Sequence, residues 1–215
     1  MENKPITIRL INDCGISDAD FSTIADAVHH YVPLVANAWN IPNITVINGG
    51  TPVDGDWLVY ATEKNRSLGA LGYHTFKAGA PVAYCSLKAV GNKLWGLYHR
   101  AMVIKGKTIR QATYSAGLVT VLCHEIAEMI CDPKIATLSA YDKLNRNWLI
   151  EVADHVYGSY FMYKASVLPD ITTPSFYDLN GKAPFSLQSA TNAPFTMTPK
   201  GYGYWKDATG KLVKI

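Results

Sequence analysis

One segment, residues 114–133, constrains this chain more than any other part of its sequence. It reads YSAGLVTVLCHEIAEMICDP, with Thr113 or Ser115 placed to cap a helix and Pro133 placed to end it. Apolar residues recur at the three- and four-residue spacing of one helix face: Leu118, Val119, Leu122, Ile126, Met129 and Ile130. The segment therefore predicts an amphipathic helix over about residues 113–131.

The same helix carries a second line of side chains, all of them potential metal ligands. His124, Glu128 and Asp132 follow one another at four-residue steps, which places them along one side of the helix. Glu125 lies beside His124, turned by about 100° around the helix axis. The alternative explanation is a capped helix with an exposed acidic face, which needs no metal.

The pentapeptide from His124 to Glu128, HEIAE, resembles the HExxH motif of zincin metallopeptidases with its second His replaced by Glu. The resemblance implies that His124 and Glu128 hold one zinc ion and that Glu125 is the catalytic base. Glu at the second position keeps the ligand spacing and can bind zinc through oxygen. Because each added carboxylate weakens the metal as a Lewis acid, we expect metal binding to survive better than activity.

A third ligand is expected from the acidic pair Glu151 and Asp154, which follow His124 by 27 and 30 residues. This resembles the gluzincin pattern, which implies that Glu151 is the ligand and that Asp154 hydrogen-bonds His124 to orient it. The pentapeptide DHVYG, from Asp154 onward, also matches the DxxYG part of the aspzincin signature, in which Asp154 is itself a ligand. Asp132 is a further orienting group or alternative ligand. A site of His, Glu and Glu accepts zinc, manganese, iron or nickel.

Four sequence blocks resemble a family of uncharacterised proteins encoded by tailed bacteriophages. The blocks are LGYH at 71–74, HEIAEMICDP at 124–133, EVAD at 151–154 and LPDITTPSFY at 168–177. The resemblance implies a zincin-like protein associated with the virion, in which Glu at position 128 is a feature of the family. It implies no particular substrate.

The rest of the chain predicts an α+β fold of zincin type with a mixed sheet of about five strands. The expected strands cover residues 6–11, 44–47, 57–61, 71–76 and 82–87. The expected first helix covers 21–39, where Pro33 is expected to kink or divide it. Residues 1–160 are assigned to this domain. Residues 161–215, rich in Tyr, Pro and Gly, are assigned to an irregular extension ending in a hairpin over 202–211.

Composition and missing motifs argue against several other classes of protein. The 20 Lys and Arg nearly balance the 17 Asp and Glu and are scattered, so no nucleic-acid partner is expected. The longest apolar run, Ala116–Cys123, is too short to span a bilayer, and no signal-peptide pattern is visible. The nucleophile elbow, the P-loop and the dinucleotide fingerprint are absent. The four cysteines, which lack CxxC spacing, are expected to be buried thiols in a reducing compartment.

A few other residues are candidates for the site. His74 lies in the strand that zincins place beside an extended substrate, so it is a candidate substrate-binding residue. The alternative is a partly exposed polar side chain, the commoner setting of a single His in a strand. Tyr157 and Tyr160 are candidates for the phenol that stabilises an oxyanion. Cys123 and Cys131 flank the motif and are expected to pack as inert thiols.

Two functions are compatible with this sequence. The first is a structural protein of a phage particle, which assembles with other virion proteins or with itself in the host cytoplasm. A charged fraction of 17% together with 13 Tyr and 5 Trp favours it, because interface cores are aromatic and poor in charge. The second is an active zinc peptidase, favoured by Glu125, which a purely structural metal site does not need. The sequence slightly favours the structural role.

Overall fold

The computed structural model describes residues 5–63, 69–104, 107–207 and 209–215. We number the strands and the two α-helices in chain order. Their bounds are β1 Ile6–Asp13, α1 Asp18–Trp39, β2 Ile44–Asn48, β3 Trp57–Thr62, β4 Gly72–Lys77, β5 Ala80–Ser86, β6 Leu97–Ile104, β7 Lys107–Tyr114, α2 Leu118–Cys131, β8 Leu138–Tyr141, β9 Asn147–Leu149, β10 Tyr160–Tyr163, β11 Ser166–Pro169, β12 Tyr204–Lys206 and β13 Leu212–Lys214. A short 3₁₀-helix, Pro174–Tyr177, follows β11.

The largest sheet has five strands in the order β2-β1-β3-β5-β4. The pairs β1–β2, β1–β3 and β3–β5 are parallel, whereas β4 runs antiparallel to β5 at one edge of the sheet. At the two-residue period of a strand, β1 buries Ile8 and Leu10 in the core, and β3 buries Val59 and Ala61. The predicted mixed sheet of five strands with two helices is therefore confirmed.

Helix α1 begins directly after Ser17, three residues before its predicted start, and continues through its proline. The Ser17 hydroxyl accepts a hydrogen bond of 3.2 Å from the Asp20 amide. The expectation that Pro33 divides the helix is wrong, because α1 is continuous from Asp18 to Trp39. Pro33 lies on the exposed side, while Val32 and Val35 on either side of it are buried and hold the helix against the core.

Helix α2 lies in the middle of the molecule. It packs against α1, against β4 and β5 of the sheet, and against β11 on the other side. The predicted start near Thr113 is wrong, because β7 pairs with β6 as far as Tyr114 and the helix begins at Leu118. Thr120 secures the first turn: its hydroxyl accepts from the Gly117 amide at 3.1 Å and donates to the Val167 carbonyl at 2.7 Å.

The segment after residue 160 packs into the same hydrophobic core as the sheet. Leu168, Ile171 and Phe176 are fully buried members of that core. Strand β12 pairs with β9 and with β13, so the C-terminal end closes onto the region that follows α2. No helix in the described part of the chain combines the length and apolar character that a membrane crossing requires.

The cysteines near α2 have the environment of packing residues. Cys123 is fully buried and Cys131 is half-buried, and both are free thiols. Burial raises the pKa of both thiols, so the reactive thiolate is disfavoured at neutral pH.

Candidate metal centre

Potential metal ligands from a helix, a strand and a turn region come together at one face of α2. The helix contributes His124, Glu125 and Glu128, and the edge strand β4 contributes His74. The turns that follow β9 contribute two more carboxylates, from Glu151 and Asp154. The four carboxylates and His74 are buried, and the His124 side chain is 15% exposed. The alternative of an exposed acidic helix face is therefore wrong.

One group consists of His124, Glu128 and Asp154, whose ligand atoms lie within 4.8 Å of one another. His124 Nε2 lies 3.2 Å from Glu128 Oε1 and 3.1 Å from Asp154 Oδ1. Both oxygens are buried, and neither has a hydrogen-bond partner. The three atoms thus converge without being satisfied by one another. Two ligands on one tetrahedral zinc ion lie roughly 3.3–3.5 Å apart, so the spacing fits a shared cation.

A second group consists of His74, Glu128 and Glu151, again with ligand atoms within 4.8 Å of one another. His74 Nδ1 lies 3.7 Å from Glu128 Oε2 and 3.5 Å from Glu125 Oε2. The side chains of both groups have the chemistry of ligands for borderline divalent metals, one imidazole and two carboxylates each. Two overlapping groups of side chains can therefore hold a metal ion.

The expected ligands His124, Glu128 and Glu151 do not form one group but are divided between the two groups. His124 and Glu128 come together as their four-residue spacing predicts. The third member of their group is Asp154, while Glu151 is grouped with His74 and Glu128. His74, expected beside a substrate, lines the cleft and faces the carboxylates of α2, and its role toward a substrate stays a prediction.

Asp132 belongs to neither group, although it continues the line of His124 and Glu128 along the helix. It is fully buried and caps the turn after α2. Its carboxylate accepts hydrogen bonds from the Ala136 amide at 3.1 Å, the Thr137 amide at 2.9 Å and the Thr137 hydroxyl at 2.9 Å. These hydrogen bonds support a structural role for Asp132.

Burial and mutual repulsion raise the pKa values of several groups in the cluster. Burial, with the neighbouring Glu128 carboxylate, raises the pKa of Glu151 to about 11 and raises that of Asp154. Burial lowers the pKa of His124, but the Glu128 and Asp154 carboxylates outweigh it and raise that pKa overall. Without a cation, the cluster therefore holds protons that a bound metal would displace.

A cleft leads to the cluster. One part is lined by members of both ligand groups together with Glu125 and Tyr202. An adjoining part has mostly apolar walls and is also lined by His124, Glu125, Tyr157 and Tyr160. The Tyr202 amide donates a hydrogen bond of 3.1 Å to the Asp154 carbonyl, which holds Tyr202 beside the cluster. Tyr202 is not recognisable as a site residue from the sequence, because no local pattern relates this C-terminal residue to the helix motif.

Gly72, the first residue of β4, lets the edge strand approach α2 closely. A Cβ atom at this position would lie 2.6 Å from Val121 Cγ1 and 2.8 Å from Glu125 Oε1. Val121 is β-branched and has little rotamer freedom in a helix, so the strand must shift to accept a side chain. Gly72 therefore sets the distance between β4 and the face of α2 that carries Glu125.

We expect Gly72→Ala to lower the free energy of unfolding by about 1–3 kcal/mol, the usual cost of overpacking. Urea unfolding of the purified variant measures this change. Lys77→Ala, at the exposed end of the same strand, is the control and should change stability by no more than about 0.5 kcal/mol. Equal stability of the two variants would show that β4 does not depend on this close contact.

No protein-family model, no curated protein and no solved structure matches this chain. The resemblances to zincins and to phage proteins therefore rest on the motifs quoted above and stay predictions.

Proposed function

We propose that this protein is a metal-dependent hydrolase of zincin type that cleaves peptide bonds. The observation that carries the proposal is the convergence of His124 Nε2, Glu128 Oε1 and Asp154 Oδ1, two of them buried oxygens without hydrogen-bond partners. Unsatisfied buried oxygens are costly, and a divalent cation is the partner that their geometry fits. In this assignment Asp154 takes the position for which Glu151 was the first expectation.

Each side chain of the site has a separate role in the proposed hydrolysis. Zinc bound by His124, Glu128 and Asp154 would supply a Lewis acid that makes water more acidic. Glu125 follows the first ligand directly and lines the cleft, so its carboxylate is placed to take a proton from the attacking water. It then passes that proton to the leaving amine. Tyr202, whose amide donates a hydrogen bond to the Asp154 carbonyl, holds the backbone of that ligand in place.

The position of β4 supports a peptide as the substrate. It is the edge strand of the five-stranded sheet, and no further strand pairs with it among the described residues. It lies against α2 at Gly72, beside Glu125. An extended peptide that adds to such an edge receives main-chain hydrogen bonds along its length. Its scissile bond would then lie near the cleft that Glu125 lines.

The other sequence-based expectations stay predictions. They are association with a phage virion, contacts with other virion proteins or with copies of this chain, and assembly in the host cytoplasm. A metal centre is compatible with a structural role in a particle, because a bound cation would stabilise the buried carboxylates in either case.

Metal content and hydrolysis test the proposal together. The purified protein, reloaded with zinc and dialysed, is expected to retain at least one zinc per chain and to cleave unfolded protein substrates. His124→Ala is expected to lose cleavage and zinc at that position. His29→Ala, an exposed His of α1, is the control and should match the native protein. A native protein that retains no zinc, manganese or iron after reloading would overturn the proposal.

A further inference from the structure

Glu128 belongs to both ligand groups, and its two oxygens face different histidines. Oε1 lies 3.2 Å from His124 Nε2, and Oε2 lies 3.7 Å from His74 Nδ1. A carboxylate whose oxygens face two separate ligand sets has the arrangement of a bridging ligand. We propose that the centre holds two divalent cations, the second bound by His74, Glu128 and Glu151, with Glu128 between them. This inference rests on the proposed function.

The charge of the cluster supports a second cation. Glu125, Glu128, Glu151 and Asp154 place four carboxylates around two histidines, and none of these four residues is more than 7% exposed. The Lys and Arg ion pairs in the described part of the chain involve other carboxylates. One divalent cation balances only half of this formal charge, and two balance all of it. Buried charges are tolerated when they are paired or bind metals.

His74 supplies an independent observation. Its side chain is 4% exposed and its ring is directed by Nδ1 toward the Glu125 and Glu128 carboxylates. Nδ1 is thus the ring atom that faces Glu128, and it lies close to the ligand atoms of both Glu128 and Glu151. The imidazole is therefore placed to bind a cation through Nδ1 together with these two carboxylates.

The proposed second site is accessible and chemically defined. His74, Glu128 and Glu151 line the same part of the cleft as His124 and Asp154, so an ion can enter both sites from one side. One imidazole nitrogen and two carboxylate oxygens suit zinc, manganese or iron. In two-metal hydrolases a pair of ions stabilises both the attacking and the leaving group, which would offset the weak Lewis acidity of each carboxylate-rich site.

The number of ions bound per chain tests the second site. Chelator-treated full-length protein is titrated with Mn²⁺, and bound metal is measured by elemental analysis after desalting. We expect two ions per chain for the native protein, one for His74→Ala, one for His124→Ala, and two for the control His29→Ala. Circular dichroism confirms that each variant is folded.

A spectroscopic measurement shows whether the two ions share Glu128. Electron paramagnetic resonance of the fully loaded native protein should show two spin-coupled Mn²⁺ ions, and His74→Ala should show an isolated ion. One ion in both the native protein and His74→Ala would overturn the second site and leave the proposed function standing. Two ions that persist in His74→Ala would also overturn it. No ion in the native protein would overturn both proposals.

Discussion

Replacing Glu125 with Gln is expected to lower the rate of peptide hydrolysis by about 10²–10⁴-fold, the usual contribution of a general base. Gln has nearly the same shape as Glu but cannot accept the proton of the attacking water. Glu125 belongs to neither ligand group, so the metal content of the variant should equal that of the native protein. Steady-state kinetics and elemental analysis of the same preparation measure both quantities.

The matched control for this variant is Glu63→Gln, which removes an exposed carboxylate from the described part of the chain. Its activity and metal content should be those of the native protein. Full activity of Glu125→Gln would exclude Glu125 as the base. Loss of metal in Glu125→Gln would instead make Glu125 a ligand, consistent with its 3.5 Å separation from His74 Nδ1.

The metal-free protein is expected to lose stability as the pH rises from about 7 to 9. Burial, together with the charges of Glu128 and Asp154, raises the pKa of Glu151 to about 11 in the folded protein. In the unfolded chain this carboxyl titrates near its ordinary pKa, so between the two values only the folded state holds the proton. The free energy of unfolding then falls by up to about 1.4 kcal/mol per pH unit for each such proton.

The pKa of His124, which the neighbouring carboxylates raise well above its usual range, acts in the same direction. His155 acts in the opposite direction at lower pH, because burial lowers its pKa to about 4, which is why the measurement begins at pH 7. Urea unfolding across the pH series, with chelator present, gives the slope. Glu151→Gln should reduce the slope, and saturation with zinc should remove it, since a cation replaces the proton. An equal slope in native and Glu151→Gln protein would contradict the assignment.

Much of the fold follows from local sequence patterns. All five strands of the main sheet lie within two residues of their predicted bounds, because short runs of β-branched and aromatic residues between turn residues define a strand locally. Both α-helices follow from apolar residues at helical spacing. The start of α2 was misplaced because strand pairing between β6 and β7 extends to Tyr114, and no local pattern indicated that hairpin.

The spacing of the helix motif alone places His124 and Glu128 on one side of a helix with Glu125 beside them, because the geometry of an α-helix fixes these angles wherever the helix lies. The sequence also located the acidic pair that completes the cluster. The remaining contacts come from tertiary packing: Asp154 joins His124, Glu151 joins His74, and Asp132 caps a turn. These contacts join a helix, an edge strand and a turn, and their distances depend on the packing of those elements through a common core, which no local spacing records.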